Sequence, residues 1–105
     1  RQAQKNLFSA IHLARQAAQI APLSPGAQSI LGQLLVANGD YQQGLVALNR
    51  ALGWNPKIAA AYRARSLAHQ ALGNIAQAQL DARLARQFAL SNPEGLIDDI
   101  SFLNQ

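Results

Sequence analysis

Apolar residues fall at helical spacing along most of this chain, and the helical pattern itself returns every 34 residues. Residues 2–21 place Leu7, Ile11, Ala14 and Ala18 on one stripe, with Ala3, Ala10 and Ala17 beside it. Pro22 and Pro25 end that run, and Ser24 is a good N-cap for a second helix that starts at Pro25 and reaches Asn38. Ile30, Leu31, Leu34 and Leu35 are its apolar positions. Further helices are expected over about 41–53, 58–72 and 75–90. Asn92-Pro93-Glu94 opens a closing helix within 93–105, with Asn92 as cap and Glu94 suited to the positive end of the helix dipole. No segment alternates as a strand would.

Four columns carry the period. Ala10, Gly44 and Ala78 align, as do Ala17, Ala51 and Ala85. Ile20, Trp54 and Phe88 form a third column, and Leu7, Tyr41 and Ile75 a fourth. Small residues recur where helices would touch closely, and large ones where a core needs filling. The turns recur too. Gly39 returns as Gly73, each able to take the left-handed conformation that closes a helix. Asp40 and Asn74 follow as caps, with Gln43 and Gln77 three residues later as in a capping box. Trp54 is expected to pack between helices because of its column. The pattern predicts an all-α solenoid of about six helices, in which each helix pair buries a face that it cannot cover alone.

The 34-residue unit resembles the tetratricopeptide repeat, whose signature is W-x2-L-G-x2-Y, then A-x3-F, then P. The first full copy reads Gln28-x2-Leu31-Gly32-x2-Leu35, then Gly44-x3-Leu48, Ala51 and Pro56. The second reads Tyr62-x2-Arg65-Ser66-x2-His69, then Ala78-x3-Ala82 and Ala85. Ala10-x3-Ala14, Ala17 and Pro22 look like the second helix of a further copy. Gln28, Arg65 and His69 depart from the family pattern. The resemblance implies a right-handed stack of antiparallel helix pairs. It divides a single segment, 1–105, into a half repeat (1–22), repeats over 25–56 and 59–92, and the closing helix (93–105). The chain is expected to be part of a longer protein.

Composition narrows the chemistry. Charged residues are only 13% of the chain, net charge is +4, and no cysteine is present. Disulfides and Cys-based zinc sites are therefore excluded. The basic residues are dispersed, which suggests no more than a preference for acidic partners. No run approaches the ~20 apolar residues of a membrane span. His12 and His69 have no second ligand at metal spacing, and Asp98 and Asp99 point about 100° apart on a helix, so neither a metal, a cofactor nor catalysis is expected. His69 is expected to pack within the stack, and Arg65 either to snorkel outward or to pair with Asp81.

The resemblance implies a protein–protein interaction module, a scaffold or adaptor that holds a peptide segment on its concave groove. The first helices of the two repeats would supply that groove: Ser29, Gln33 and Val36 from one, Arg63, Leu67 and Gln70 from the other. This set lacks the Lys/Asn constellation with which some family members clamp a C-terminal carboxylate. A regulatory or oligomerising segment of a larger enzyme or receptor is the alternative, and RNA binding a third, disfavoured because only Arg63 among the groove columns is basic. Leu7, Phe8 and Ile11 cannot all be covered by the helices that follow. Residues 2–12 are thus expected to meet upstream chain or, without it, a second copy.

Overall fold

Among the described residues, five helices follow one another through short turns: α1 (Gln2–Ile20), α2 (Pro25–Ala37), α3 (Tyr41–Trp54), α4 (Ala59–Ala71) and α5 (Ile75–Ser91). The computed structural model describes residues 2–91, with side chains over 6–90. The closing helix expected within 93–105 lies outside the described residues.

The helix ends follow from local chemistry. Ser24 accepts a hydrogen bond from the Ala27 N–H, and Pro25 occupies the first turn, where its missing N–H costs nothing. Gly39 and Gly73 both have φ +85°, a region open to glycine at no steric cost. Around them the same pair of bonds closes each helix. Gly39 and Asp40 donate to Val36 and Leu35, and 34 residues later Gly73 and Asn74 donate to Gln70 and His69. The capping box expected at Asp40 is not formed. The Asp40 carboxylate instead accepts from Asn38 Nδ2 at 2.9 Å, and the Gln43 amide oxygen is taken by Arg15 Nη2, also at 2.9 Å.

Each pair packs tightly: α2 on α3, and α4 on α5. The α2 and α4 backbones also pack side by side, whereas the α1, α3 and α5 backbones stay apart from one another, so α2 and α4 form an inner layer and the rest an outer one. The closest approach is between Gly32 and Gly44. A Cβ on Gly32 would lie 2.5 Å from Leu48 Cγ, and one on Gly44 would lie 2.7 Å from Val36 Cγ2. Alanines do the same work elsewhere: Ala51, Ala61 and Ala68 are wholly buried, with Leu48 beside them.

Repeat columns do not always share burial. Phe88 stacks on Tyr62 with ring centroids 5.5 Å apart, but Trp54 is 46% exposed, contrary to the packing role expected of it. The residue 34 places before Tyr62 is Gln28, which turns inward to the Pro22 carbonyl and offers Trp54 no ring. Tyr62 reaches the equivalent carbonyl, Pro56, at 2.7 Å while still presenting its face to Phe88. Ile20, the third member of that column, is also exposed.

Arg65 pairs with Asp81, one of the two fates expected for it. Nε and Nη2 each lie 2.9 Å from a carboxylate oxygen, Nη1 donates to Asn49 Oδ1 at 3.0 Å, and the guanidinium sits 5.3 Å over the Tyr62 ring. On α1, Ile11 is buried and Leu7 packs against the same cluster, so of the three residues that were not all expected to be covered Phe8 is the one left exposed. The open strip of that helix is instead Leu13, Ala17 and Ile20.

Candidate functional site: the groove between α2 and α4

Because α2 and α4 lie side by side and one repeat apart, equivalent side chains from the two helices converge on the channel between them. This channel is open to solvent and has a volume of about 400 Å³. Gln33, Val36 and Ala37 come from α2, Tyr41 from the start of α3, and Ala60, Arg63, Ala64 and Leu67 from α4. The floor is apolar, since Val36 and Ala64 are buried core residues that show only their outer edge. Leu67 is 55% exposed and forms one wall. Gln33 and Arg63 are the polar groups of the rim.

The six residues expected to line the groove divide. Gln33, Val36, Arg63 and Leu67 do line it. Ser29 does not: it is buried, and its hydroxyl accepts from Gln33 Nε2 at 3.0 Å. Arg63 occupies the same repeat position, but its longer side chain reaches solvent where the serine cannot. Gln70 belongs to the next depression along the stack, shared with Ser66, Ile75 and Gln79. Tyr41, placed in the core by its column, does pack against the core cluster, but it also lines the groove, which its column did not indicate. Its column partner Leu7 is partly buried, and nothing in the period alone separates a core face from a groove wall at a helix start.

Electrostatically the rim is basic. Among the described residues no carboxylate lies within ion-pair distance of Arg63, since the ion pairs there are those of Asp81 with Arg65 and, more distantly, with His69. His69 is partly buried and its Nδ1 lies 3.2 Å from Asn74 Nδ2, which ties it to the turn. His12 is exposed on α1 and is not among the residues that line the groove. No group of three or more His, Asp or Glu side chains that would hold a metal ion occurs among the described residues. No helix described is long and apolar enough to cross a membrane.

A family model described as tetratricopeptide repeat matches residues 2–67, which contain α1, α2, α3 and most of α4. No curated protein matches the chain.

Proposed function

Since this chain belongs to the tetratricopeptide repeat family, whose repeats generally mediate protein–protein interaction, we propose that it binds a polypeptide segment in the groove between α2 and α4 and acts as a scaffold or adaptor. The ligand is an extended segment that seats one apolar side chain against Val36, Tyr41 and Leu67 and brings a neighbouring carboxylate to Arg63. Gln33 supplies a hydrogen bond to its backbone. The supporting observation is the groove itself: a preformed apolar channel large enough for one aromatic or branched side chain, with an accessible guanidinium at its edge. A receptor held rigid by its own core loses little order on binding, so modest buried area suffices for useful affinity. The rim guanidinium steers acidic segments and sets register more than it adds affinity.

In this reading residues 25–56 and 59–92 are the two repeats that form the groove, and residues 1–22 are the outer half of a preceding one. A second surface follows from α1. Leu13 is 64% exposed and Ile20 85%, whereas Ala47, one period after Leu13, is buried. Upstream chain or a second copy fits that strip.

Fluorescence anisotropy tests the groove. The probes are two labelled peptides that differ only in carrying Leu-Asp or Leu-Lys at their centre. The Leu-Asp peptide should bind more tightly, and R63E should remove or reverse the preference while R50E, on α3, leaves it. Equal binding of both peptides, or equal effects of R63E and R50E, contradicts the proposal.

A further inference from the structure

We propose that the gap between α1 and α3 binds the phosphate monoester of a phosphorylated segment of a partner polypeptide, with Arg15 and Arg50 on the phosphate and Gln28 accepting a backbone N–H beside it. The site belongs to the outer layer and is separate from the groove between α2 and α4. Because the backbones of α1 and α3 stay apart, a gap remains between them with α2 as its floor. Two adjoining depressions open there, of about 290 and 300 Å³. Both are lined by Arg15 from α1, Gln28 and Leu31 from α2, and Arg50 from α3.

The second repeat shows how this place is closed when the chain closes it alone. One period on, Arg15, Leu31 and Ala47 become Asn49, Arg65 and Asp81, and those three are joined. Arg65 donates to both carboxylate oxygens of Asp81 at 2.9 Å and to Asn49 at 3.0 Å. Gln28 becomes Tyr62, whose ring stacks on Phe88, and Arg50 becomes Leu84, packed against the core. Cation and anion thus meet within the later gap. The earlier gap holds two cations and no anion. The carboxylates of the described side chains are engaged elsewhere, Asp40 with Asn38 and Asp81 with Arg65.

Two guanidiniums set the charge of the ligand. Arg15 donates to Gln43 at 2.9 Å, which holds it across the gap and leaves its other N–H groups to a ligand. Arg50 makes no ion pair among the described residues. A phosphate monoester carries about two negative charges at neutral pH and three strong acceptor oxygens, so it meets both guanidiniums at once. A carboxylate brings a single charge and satisfies one of them.

Gln28 is the independent sign of a ligand. It is 4% exposed, its Oε1 has no hydrogen-bond partner among the described residues, and its Nε2 reaches the Pro22 carbonyl only at 3.4 Å. A buried acceptor without a donor is costly, and the last torsion of a glutamine is soft. Turning the amide toward the gap gives up one long hydrogen bond and lets Oε1 accept from the N–H of the phosphorylated residue. The need for that N–H favours a polypeptide over a free phosphate ester, in keeping with the family's role in protein–protein interaction.

Trp54, the chain's single tryptophan, follows Arg50 by one helical turn and is 46% exposed, so its fluorescence reports on the site. The whole chain is titrated with inorganic phosphate and with one peptide carrying phosphoserine, glutamate or serine at the same place. The phosphoserine form should bind at least about tenfold more tightly than the glutamate form, and the serine form not measurably. R15Q and R50Q should each weaken phosphoserine binding by about tenfold or more. R83Q/R86Q, on α5, should leave it unchanged although two charges are lost. Q28M should weaken the phosphoserine peptide and leave inorganic phosphate as it was. Melts should match the unaltered chain for the arginine variants, since all four side chains are exposed. No binding of the phosphoserine form, equal binding of the glutamate form, or an equal loss from R83Q/R86Q overturns the proposal. Inorganic phosphate binding as tightly as the phosphoserine peptide, with Q28M indifferent to both, overturns the assignment to a polypeptide. The anisotropy assay reads Arg63 and this titration reads Arg15 and Arg50, so either site can fail without the other.

Discussion

The helix pairs α2–α3 and α4–α5 are built on the same columns but close them with different chemistry. In the first pair Leu31 and Ala47 are both buried, an apolar contact. One period later Arg65 and Asp81 stand in those two places and form a bidentate ion pair with the carboxylate almost wholly buried. Gly32 and Gly44 let the first pair approach until each backbone carbonyl crowds the other glycine. Ser66 and Ala78 replace them in the second, and the serine hydroxyl donates to the Ala78 carbonyl at 2.7 Å. The repeat thus dictates where two helices must touch and leaves open whether the contact is dry or polar. A polar contact is specific, because neither member tolerates the loss of the other, whereas a dry one is tolerant of chemistry and intolerant of volume.

The sharpest break should come from removing one partner of the polar contact. Arg65→Ala leaves Asp81 buried without its counter-charge, and separating a buried pair in this way costs about 3–5 kcal/mol. The lower end is expected, because the guanidinium itself keeps 23% of its surface exposed. Urea denaturation checks it. The dry pair should fail through volume instead. Gly44→Ala drives a methyl into Val36 and the Gly32 carbonyl, an overpacking of about 1–3 kcal/mol, offset by roughly 1 kcal/mol of gained helix propensity. Ala51→Leu has no such offset and should cost the full ~1–3 kcal/mol of overpacking, while Ala17→Leu, in the same column but exposed on α1, should leave the melt unchanged. Equal effects at Ala51 and Ala17 would contradict the stacking described here.

Smaller effects sharpen the comparison. Ser66→Ala removes one hydrogen bond and should cost ~1 kcal/mol by thermal melt. The double change R65L/D81A writes the dry contact of the first pair into the second. It should return stability to within about 1 kcal/mol of the unaltered chain, as exchanges of buried ion pairs for packed apolar residues often do. If it is as damaging as Arg65→Ala alone, the two repeats are not interchangeable at these columns.

The same contrast explains what was legible in the sequence. Helix bounds, the two glycine turns and the close-contact columns follow from the period, because backbone geometry repeats whatever the side chains are. The pairing of Arg65 with Asp81 was legible as one of two alternatives, since a charge at a core column either snorkels outward or finds a partner on the facing helix. Trp54 was not, because its burial depends on the residue across from it, and Gln28 stands where the second repeat has Tyr62. The groove was legible in part. Its position follows from α2 and α4 being adjacent, but Ser29 and Arg63 share a column and differ in reach, and a period cannot report side-chain length. Tyr41 escaped for the complementary reason, lying where a helix start turns from core to groove wall.

The central claim is that the groove between α2 and α4 is where this chain meets its partner. Amide chemical-shift mapping of the whole chain against the Leu-Asp peptide tests it most directly. The account requires shifts concentrated at Gln33, Val36, Tyr41, Arg63 and Leu67, with α1 silent. Shifts centred instead on Leu13, Ala17 and Ile20 would place binding on the outer flank and contradict it.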